Sequence, residues 1–234
     1  MRAVMIVPIA REAQAKRITA CWACQSAAVD LLFAPAPGVR LTGWTCGPTS
    51  TIGEARNVAL SAAAYCGYDV ALFCDDDNYY GPDYAAEFLE AFAEDKSLVV
   101  AFKPLAFVRH DDGLWWYDEK QTRFFPGHST AVRVREAALF PAASFAEDVE
   151  WSRRMAGAKS RRLSPWGLVY DRRDPKSHAY DAEREVFLRQ HGPARFLGHR
   201  PDTAVDTPFE TTAPWTHVSD ADIFAAMRRR ASCY

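Results

Sequence analysis

"TIGEARNVALSAAAYCGYDVALFCDDDN", residues 51–78, places a helix and a strand back to back and ends on three aspartates and an asparagine. From Thr51 to Cys66 apolar residues recur at helical spacing, and the run stops at Gly67. Asp69–Cys74 then reads as a short buried strand, with Asp75, Asp76 and Asp77 at its carboxyl end. Three like charges at such a place have two readings. One is a solvated turn stocked with turn formers. The other is an oxygen-rich cation site suited to Mn²⁺ or Mg²⁺, hard ions that keep several waters and share phosphate oxygens with a substrate. Asp75 and Asp77 lie two apart, so extended geometry would point both the same way. The stretch alone leaves both readings open.

Outward from it, strands and helices alternate. Residues 2–9 form an apolar run of strand length, and a helical stretch follows from about Glu12 to Ala28. "VDLLFAPAPG" is a second strand broken by Pro35 and Pro37, "GVRLTGW" (38–44) a possible third, and Tyr84–Ala93 another helix. Strands apolar on both faces, separated by helices, predict an α/β fold with a mostly parallel sheet flanked on both sides. After Lys96 the texture changes: "HDDG" (110–113) predicts a small antiparallel hairpin. "STAVRVREAALF" (129–140) predicts a strand entering a helix, "AEDVEWSRRMAGA" (146–158) a helix, and "SRRLSPWGLVYD" (160–171) a further strand.

Bulk properties exclude several classes. With 234 residues, 49% hydrophobic, the chain can bury a sizeable core. A net charge of −2 gives no global field toward nucleic acid or membrane. Apolar runs are strand-sized, so no membrane span is expected, and the opening "MRAVMIVPIA" is short for a signal-peptide core; a cytoplasmic location is the expectation. "CWAC" (21–24) has redox or zinc spacing, but no second pair follows it and the six cysteines read as free thiols. Residues 153–176 hold eight Lys or Arg, read as a solvated face or as a positive rim for phosphate; nucleic acid is a possible but not a favoured partner.

Three stretches together resemble family 2 glycosyltransferases with the GT-A fold. "GEARNVALSAAAYCGYDVALFCDDDN" (53–78) is similar to the family's Ala-Arg-Asn helix start and the strand ending in Asp-x-Asp; "VMIVPIARE" (4–12) to its first strand and terminal Pro; "SFAEDVEWSRRMAGAKSRRL" (144–163) to its Glu-Asp motif. The resemblance spans roughly residues 2–180. It implies a GT-A domain over 1–190 and a C-terminal extension, 191–234, packed on or near the active site. It also implies a metal-dependent inverting transferase that moves a sugar from a nucleotide-diphosphate donor to a soluble acceptor. Asp75 and Asp77, with a late His178, would hold Mn²⁺ or Mg²⁺. Pro8, Ile9, Ala10, Arg56, Asp75 and Asp76 would line the donor pocket. Asp148 would be the general base, with Glu147, Trp151 and Trp115 on the acceptor side.

The chain also departs from the pattern. Where the family places an Asp-rich turn that reads the base, "FAPAPG" (33–38) has no carboxylate, so base recognition is expected to differ. Competing functions are a nucleotide-sugar-binding GT-A domain without turnover and a DNA- or nucleotide-modifying glycosyltransferase. A nucleotidyltransferase would want a Gly-rich loop that "PIAREAQAKR" lacks.

Overall fold

A computed structural model of the chain describes residues 1–103, 107–110, 113–116, 125–163, 167–171 and 195–196. His178, the side chain of Trp115 and most of the 191–234 extension lie outside the described residues.

The predicted alternation opens the chain: β1 (Ala3–Ile9), α1 (Glu12–Ala23), β2 (Asp30–Pro35), α2 (Ile52–Tyr65), β3 (Val70–Phe73), β4 (Tyr79–Tyr80) and α3 (Tyr84–Glu94). There follow β5 (Val100–Phe102), the hairpin strands β6 (Phe107–His110) and β7 (Gly113–Trp116), β8 (Thr130–Arg133), α4 (Glu147–Arg154), β9 (Ser160–Arg162), β10 (Leu168–Asp171) and β11 (Arg195–Phe196). A six-stranded sheet runs β2-β1-β3-β8-β5-β9, and a second sheet runs β11-β7-β6-β10-β4. In the first, β1 pairs parallel with β2 and β3, and β5 parallel with β9. β8 pairs antiparallel with both its neighbours.

Period-two alternation sorts the large sheet's side chains between two cores. Met5, Val7 and Leu72 meet Ile18 of α1 and Phe88 and Phe92 of α3 on one face. Val4, Ile6, Ala71 and Phe73 meet Ala59, Leu60 and Ala63 of α2 and Trp151 of α4 on the other. Each such side chain, fully buried, contributes roughly 1.5–3 kcal/mol in the case of Leu, Ile or Phe. Helices therefore cover both faces, as the apolar strands require.

Several local expectations give way. Residues 38–44 form no strand; instead Phe33 of β2 bridges Thr45, its amide donating to Trp44 O at 3.1 Å. After β8 the chain makes one 3₁₀ turn, Val134–Glu136, rather than a helix. The first helix ends at Ala23, short of Ala28. Trp151, expected on the acceptor side, is 0% exposed. It stacks on Phe140 with centroids 4.8 Å apart, meets Phe73 edge-on at 5.6 Å, and donates its indole N–H to Ala138 O. It is a core residue. No helix among the described residues is long and apolar enough to cross a membrane.

The topology makes one crevice. From β1 the chain crosses through α1 to β2 on one side; from β2 it returns through α2, on the opposite face, to β3 on the other side. The direction reverses between β1 and β3, and open α/β sheets bind ligands beyond the carboxyl ends of strands at such a point. β3 pairing stops at Ile6↔Phe73, while β1 runs on to Ile9 beside β2 alone. Pro8, paired with Ala34 on the β2 side, has no strand partner on the β3 side, where a missing N–H costs no ladder bond.

Candidate active site

A cavity of about 430 Å³ opens at that switch point, lined by Pro8, Ile9 and Ala10, by Ala34 of β2 and Ala36 just after it, and by residues 49–52, Ala55 and Arg56. The aspartates Asp75–Asp77, Gly127 and His128, and the segment 144–148 complete its wall. Most of the residues that sequence reasoning assigned to the donor and to the base meet here.

Asp75, Asp76 and Asp77 do not continue β3. The last sheet-like bond is Cys74 N to Ile6 O at 3.0 Å, after which the chain turns. Asp75 and Asp76 take separate partners. The turn reading is thus correct for the backbone, and the pocket lies over it. Asp75, its side chain 25% exposed, accepts from Arg56 Nη2 at 2.9 Å. Its amide donates to the Tyr80 hydroxyl at 2.7 Å, and that hydroxyl donates to His128 O at 3.0 Å. Asp76 is buried and accepts from Ala10 N at 2.8 Å, pinning the end of β1 to the turn. Gln14, its amide oriented to suit both neighbours, donates to Asp76 Oδ2 at 2.6 Å and accepts from Arg11. Burial, and after it the like charge of Asp77, pushes the Asp76 carboxyl up to about 7, against the pull of the Ala10 amide. Asp77 is buried, and its backbone carbonyl accepts from Arg17 Nη1 at 2.6 Å.

Opposite charge comes from α2. Its start is a capping box: Thr51 Oγ1 accepts from Glu54 N at 3.2 Å, and Glu54 accepts from Thr51 N at 3.1 Å. One turn on, the buried Arg56 bridges Asp75 to Glu147 Oε1 at 2.5 Å, with its guanidinium 5.3 Å from the Phe140 ring centre. Burial works against its charge, but Asp75, Glu147 and Asp148 outweigh it and hold the guanidinium above its ordinary value. Gly127 packs on that guanidinium: a Cβ there would lie 2.5 Å from Nη1.

α2 also fastens the segment leading to α4. Asn57 clamps the Phe140 backbone with two bonds, Nδ2 to O at 2.9 Å and N to Oδ1 at 2.8 Å. Gly53 N donates to Ala143 O at 2.9 Å, and a Cβ on Gly53 would lie 1.8 Å from Pro141 O. Ala146 then adopts the left-handed region at φ 54°, uncommon for a residue with a Cβ, and turns the chain into α4. Glu147 is buried against Arg56, while Asp148 is half-buried at the cavity. Gly127 N donates to Asp148 Oδ2 at 3.2 Å and Val149 N to Oδ1 at 2.8 Å, so its carboxylate is fixed in orientation.

Oxygen is the donor set for any cation. Among the described residues no three His, Cys, Asp or Glu side chains form a group able to hold an ion unaided. Asp75 and Asp77 fit an ion that takes its remaining ligands from waters and phosphate, as Mg²⁺ and Mn²⁺ do, and do not fit a closed protein cage.

Sequence reasoning missed Tyr80, Gly127, His128, Gln14 and residues 49–52. "PGHS" (126–129) was the one local signal, a Gly-His pair entering a strand. Four residues of the basic strip are paired away from the cavity: Arg153 and Arg154 with Glu150, Lys159 with Asp95, and Arg161 with Glu94.

No protein-family profile and no curated protein matches the sequence. Solved structures do match in fold. The mannosyltransferase PcManGT from Pyrobaculum calidifontis, in complex with GDP-Man and Mn²⁺, aligns with a TM-score of 0.57 at 16% identity, over 81% of this chain and 62% of its own. S. aureus TarS 1–349 aligns with a TM-score of 0.54 at 17% identity, over 76% and 62%. The chain thus spans 62% of each of these structures. Its architecture is the GT-A fold, structurally similar to nucleotide-sugar glycosyltransferases.

Proposed function

We propose that the protein transfers a sugar from a nucleotide-diphosphate donor to a soluble acceptor, with Mn²⁺ or Mg²⁺ and with inversion at the anomeric carbon. One observation carries the reading: the carboxylates after β3 and Asp148 at the start of α4 line the same cavity, at the sheet's switch point. Asp75 and Asp77 would hold the ion. When bound, it supplies Lewis-acid stabilisation of the charge that gathers on the departing diphosphate. Asp148 takes the acceptor hydroxyl's proton on its carboxylate, which the Gly127 and Val149 amides hold in place. A base acting from the face opposite the leaving group gives in-line displacement and hence inversion. Glu147 stays on Arg56 and orients the start of α4. The nucleotide base meets a neutral wall, Ala34, Ala36, Thr49, Ser50 and Thr51, in keeping with the missing carboxylate of "FAPAPG".

The test is donor binding and turnover. GDP-Man, the ligand in PcManGT, is the first donor to try with Mn²⁺, followed by the other common nucleotide sugars. The expected result is slow release of a nucleoside diphosphate from one of them. Asp148→Ala slows transfer and spares donor binding, and Asp77→Asn removes the Mn²⁺-dependent rise in Tm given by the nucleoside diphosphate. Calorimetry that stays flat for every nucleotide sugar with Mn²⁺ refutes the reading.

A further inference from the structure

Tyr80 puts a side chain where the large sheet would otherwise have a backbone bond. β3 and β8 pair from Val70↔Arg133 to Phe73↔Thr130, and the same register sets Asp75 opposite His128. Backbone groups along β3 serve its two neighbours in turn. Val70 and Cys74 donate to Arg2 O and Ile6 O on the β1 side, and Asp69 O accepts from Val134 N on the β8 side. The Asp75 amide therefore belongs to the β8 side, with His128 O as its ladder acceptor. It donates instead to the Tyr80 hydroxyl at 2.7 Å, and that hydroxyl donates to His128 O at 3.0 Å, with Asp75 O farther off at 3.4 Å. A phenolic hydroxyl both donates and accepts, so the ladder runs through it. One bond of about 2.9 Å becomes two in series. The strands part at two residues that both line the cavity.

The inserted hydroxyl is held from behind. Tyr80 lies in β4, pairs with Leu168 of β10, and donates its amide to Cys21 Sγ at 3.5 Å. Its buried ring meets Tyr84 edge-on, with centroids 4.7 Å apart. β8 is fixed on its far edge, where Lys103 N donates to Ser129 O at 2.9 Å and Ser129 Oγ to Lys103 O at 2.7 Å. Both partners of the hydroxyl lead to the chemistry. Asp75 carries the carboxylate that meets Arg56, and His128 follows Gly127, whose amide donates to Asp148 Oδ2 at 3.2 Å. We propose that Tyr80 is a positioning residue: its hydroxyl, spliced into the β3–β8 ladder, sets the spacing between the ion-holding Asp75 and the base Asp148. This rests on the transferase reading above, and gives that site a support from outside the cavity wall.

Tyr80→Phe keeps the ring and removes only the oxygen. Its comparator, Tyr84→Phe, removes the neighbouring buried hydroxyl, which is paired with the Cys74 thiol. Amide exchange is followed by NMR in the ion-free proteins. Hydrolysis of the nucleotide sugar, GDP-Man first, is followed at saturating Mn²⁺. Wild type is expected to protect the Asp75 amide as it does that of Cys74, and Tyr80→Phe to speed exchange at Asp75 at least about tenfold. Tyr80→Phe lowers kcat about 10–100-fold, the usual effect of losing a group that orients an ion-holding side chain, with donor KM within about twofold. Tyr84→Phe stays close to wild type in both measurements. An unprotected Asp75 amide in wild type overturns the proposal even if Tyr80→Phe fails to fold. So does an unchanged kcat in folded Tyr80→Phe, or an equal loss in Tyr84→Phe, which would mark a packing defect; in both cases the transferase reading stands. Wild type that protects Asp75 yet hydrolyses no donor overturns the transferase reading and the proposal with it.

Discussion

Replacing Arg56 by Met tests the centre of the site. The guanidinium is buried between Asp75 at 2.9 Å and Glu147 at 2.5 Å, and Met keeps much of the side chain's bulk while removing its charge. Two charge-assisted bonds vanish, and the Glu147 carboxylate stays buried without its cation. Breaking a buried pair from one side costs about 3–5 kcal/mol, against roughly 5–15 kcal/mol for a whole domain. With a urea slope near 3 kcal/mol/M, the midpoint falls by roughly 1–1.7 M. Trp151 stacks on Phe140, beside that guanidinium, so tryptophan fluorescence reports the transition. The double variant Arg56→Met/Glu147→Gln removes the stranded charge and recovers about 1–3 kcal/mol. A loss below about 1 kcal/mol for Arg56→Met, or strictly additive effects in the double variant, refutes the bridging role.

Three further outcomes follow from the geometry. Gly53→Ala drives a Cβ into Pro141 O and is expected to lower stability by at least about 1–3 kcal/mol, whereas Gly157→Ala, which meets open space, leaves Tm nearly unchanged. Asn57→Ala loses both bonds to the Phe140 backbone and costs about 1–3 kcal/mol in urea unfolding. In chelator-treated protein Asp76 titrates near 7 rather than 3.8, so the folded state holds its proton more tightly than the unfolded chain. Stability is therefore greatest below about pH 4 as far as this group is concerned, and it declines as pH rises through 7. Asp76→Asn flattens that decline in Tm-against-pH scans; an unchanged slope removes Asp76 as its source.

The fold was legible where local pattern and final environment agree. β1 and β3 are apolar on both faces because helices cover both, and α2 announces itself by apolar residues at helical spacing and a terminal Gly67. The direction of β8 was not legible: "TAVR" is as apolar as a parallel strand, and orientation depends on where the chain returns from. The aspartate turn could be found from charge alone, but not its surroundings. Asn57 holds a backbone 83 residues away, and Tyr80 reaches a carbonyl 48 residues on. Trp151 shows the limit most clearly. Its spacing from Glu147 puts both on one side of α4, and both are indeed buried. That side faces the core, however, and only the first turn of α4, with Glu147 and Asp148, reaches the pocket.

Gly53, Arg56 and Asn57 all project from a single rod, so the aspartate turn and the Phe140–Asp148 strip share one mounting. Arg56 holds Asp75 with one end of its guanidinium and Glu147 with the other, so the two carboxylates share one cation. A change at one end of this side chain is then felt at the other, so a substitution at Glu147 is expected to disturb the surroundings of Asp75 as well.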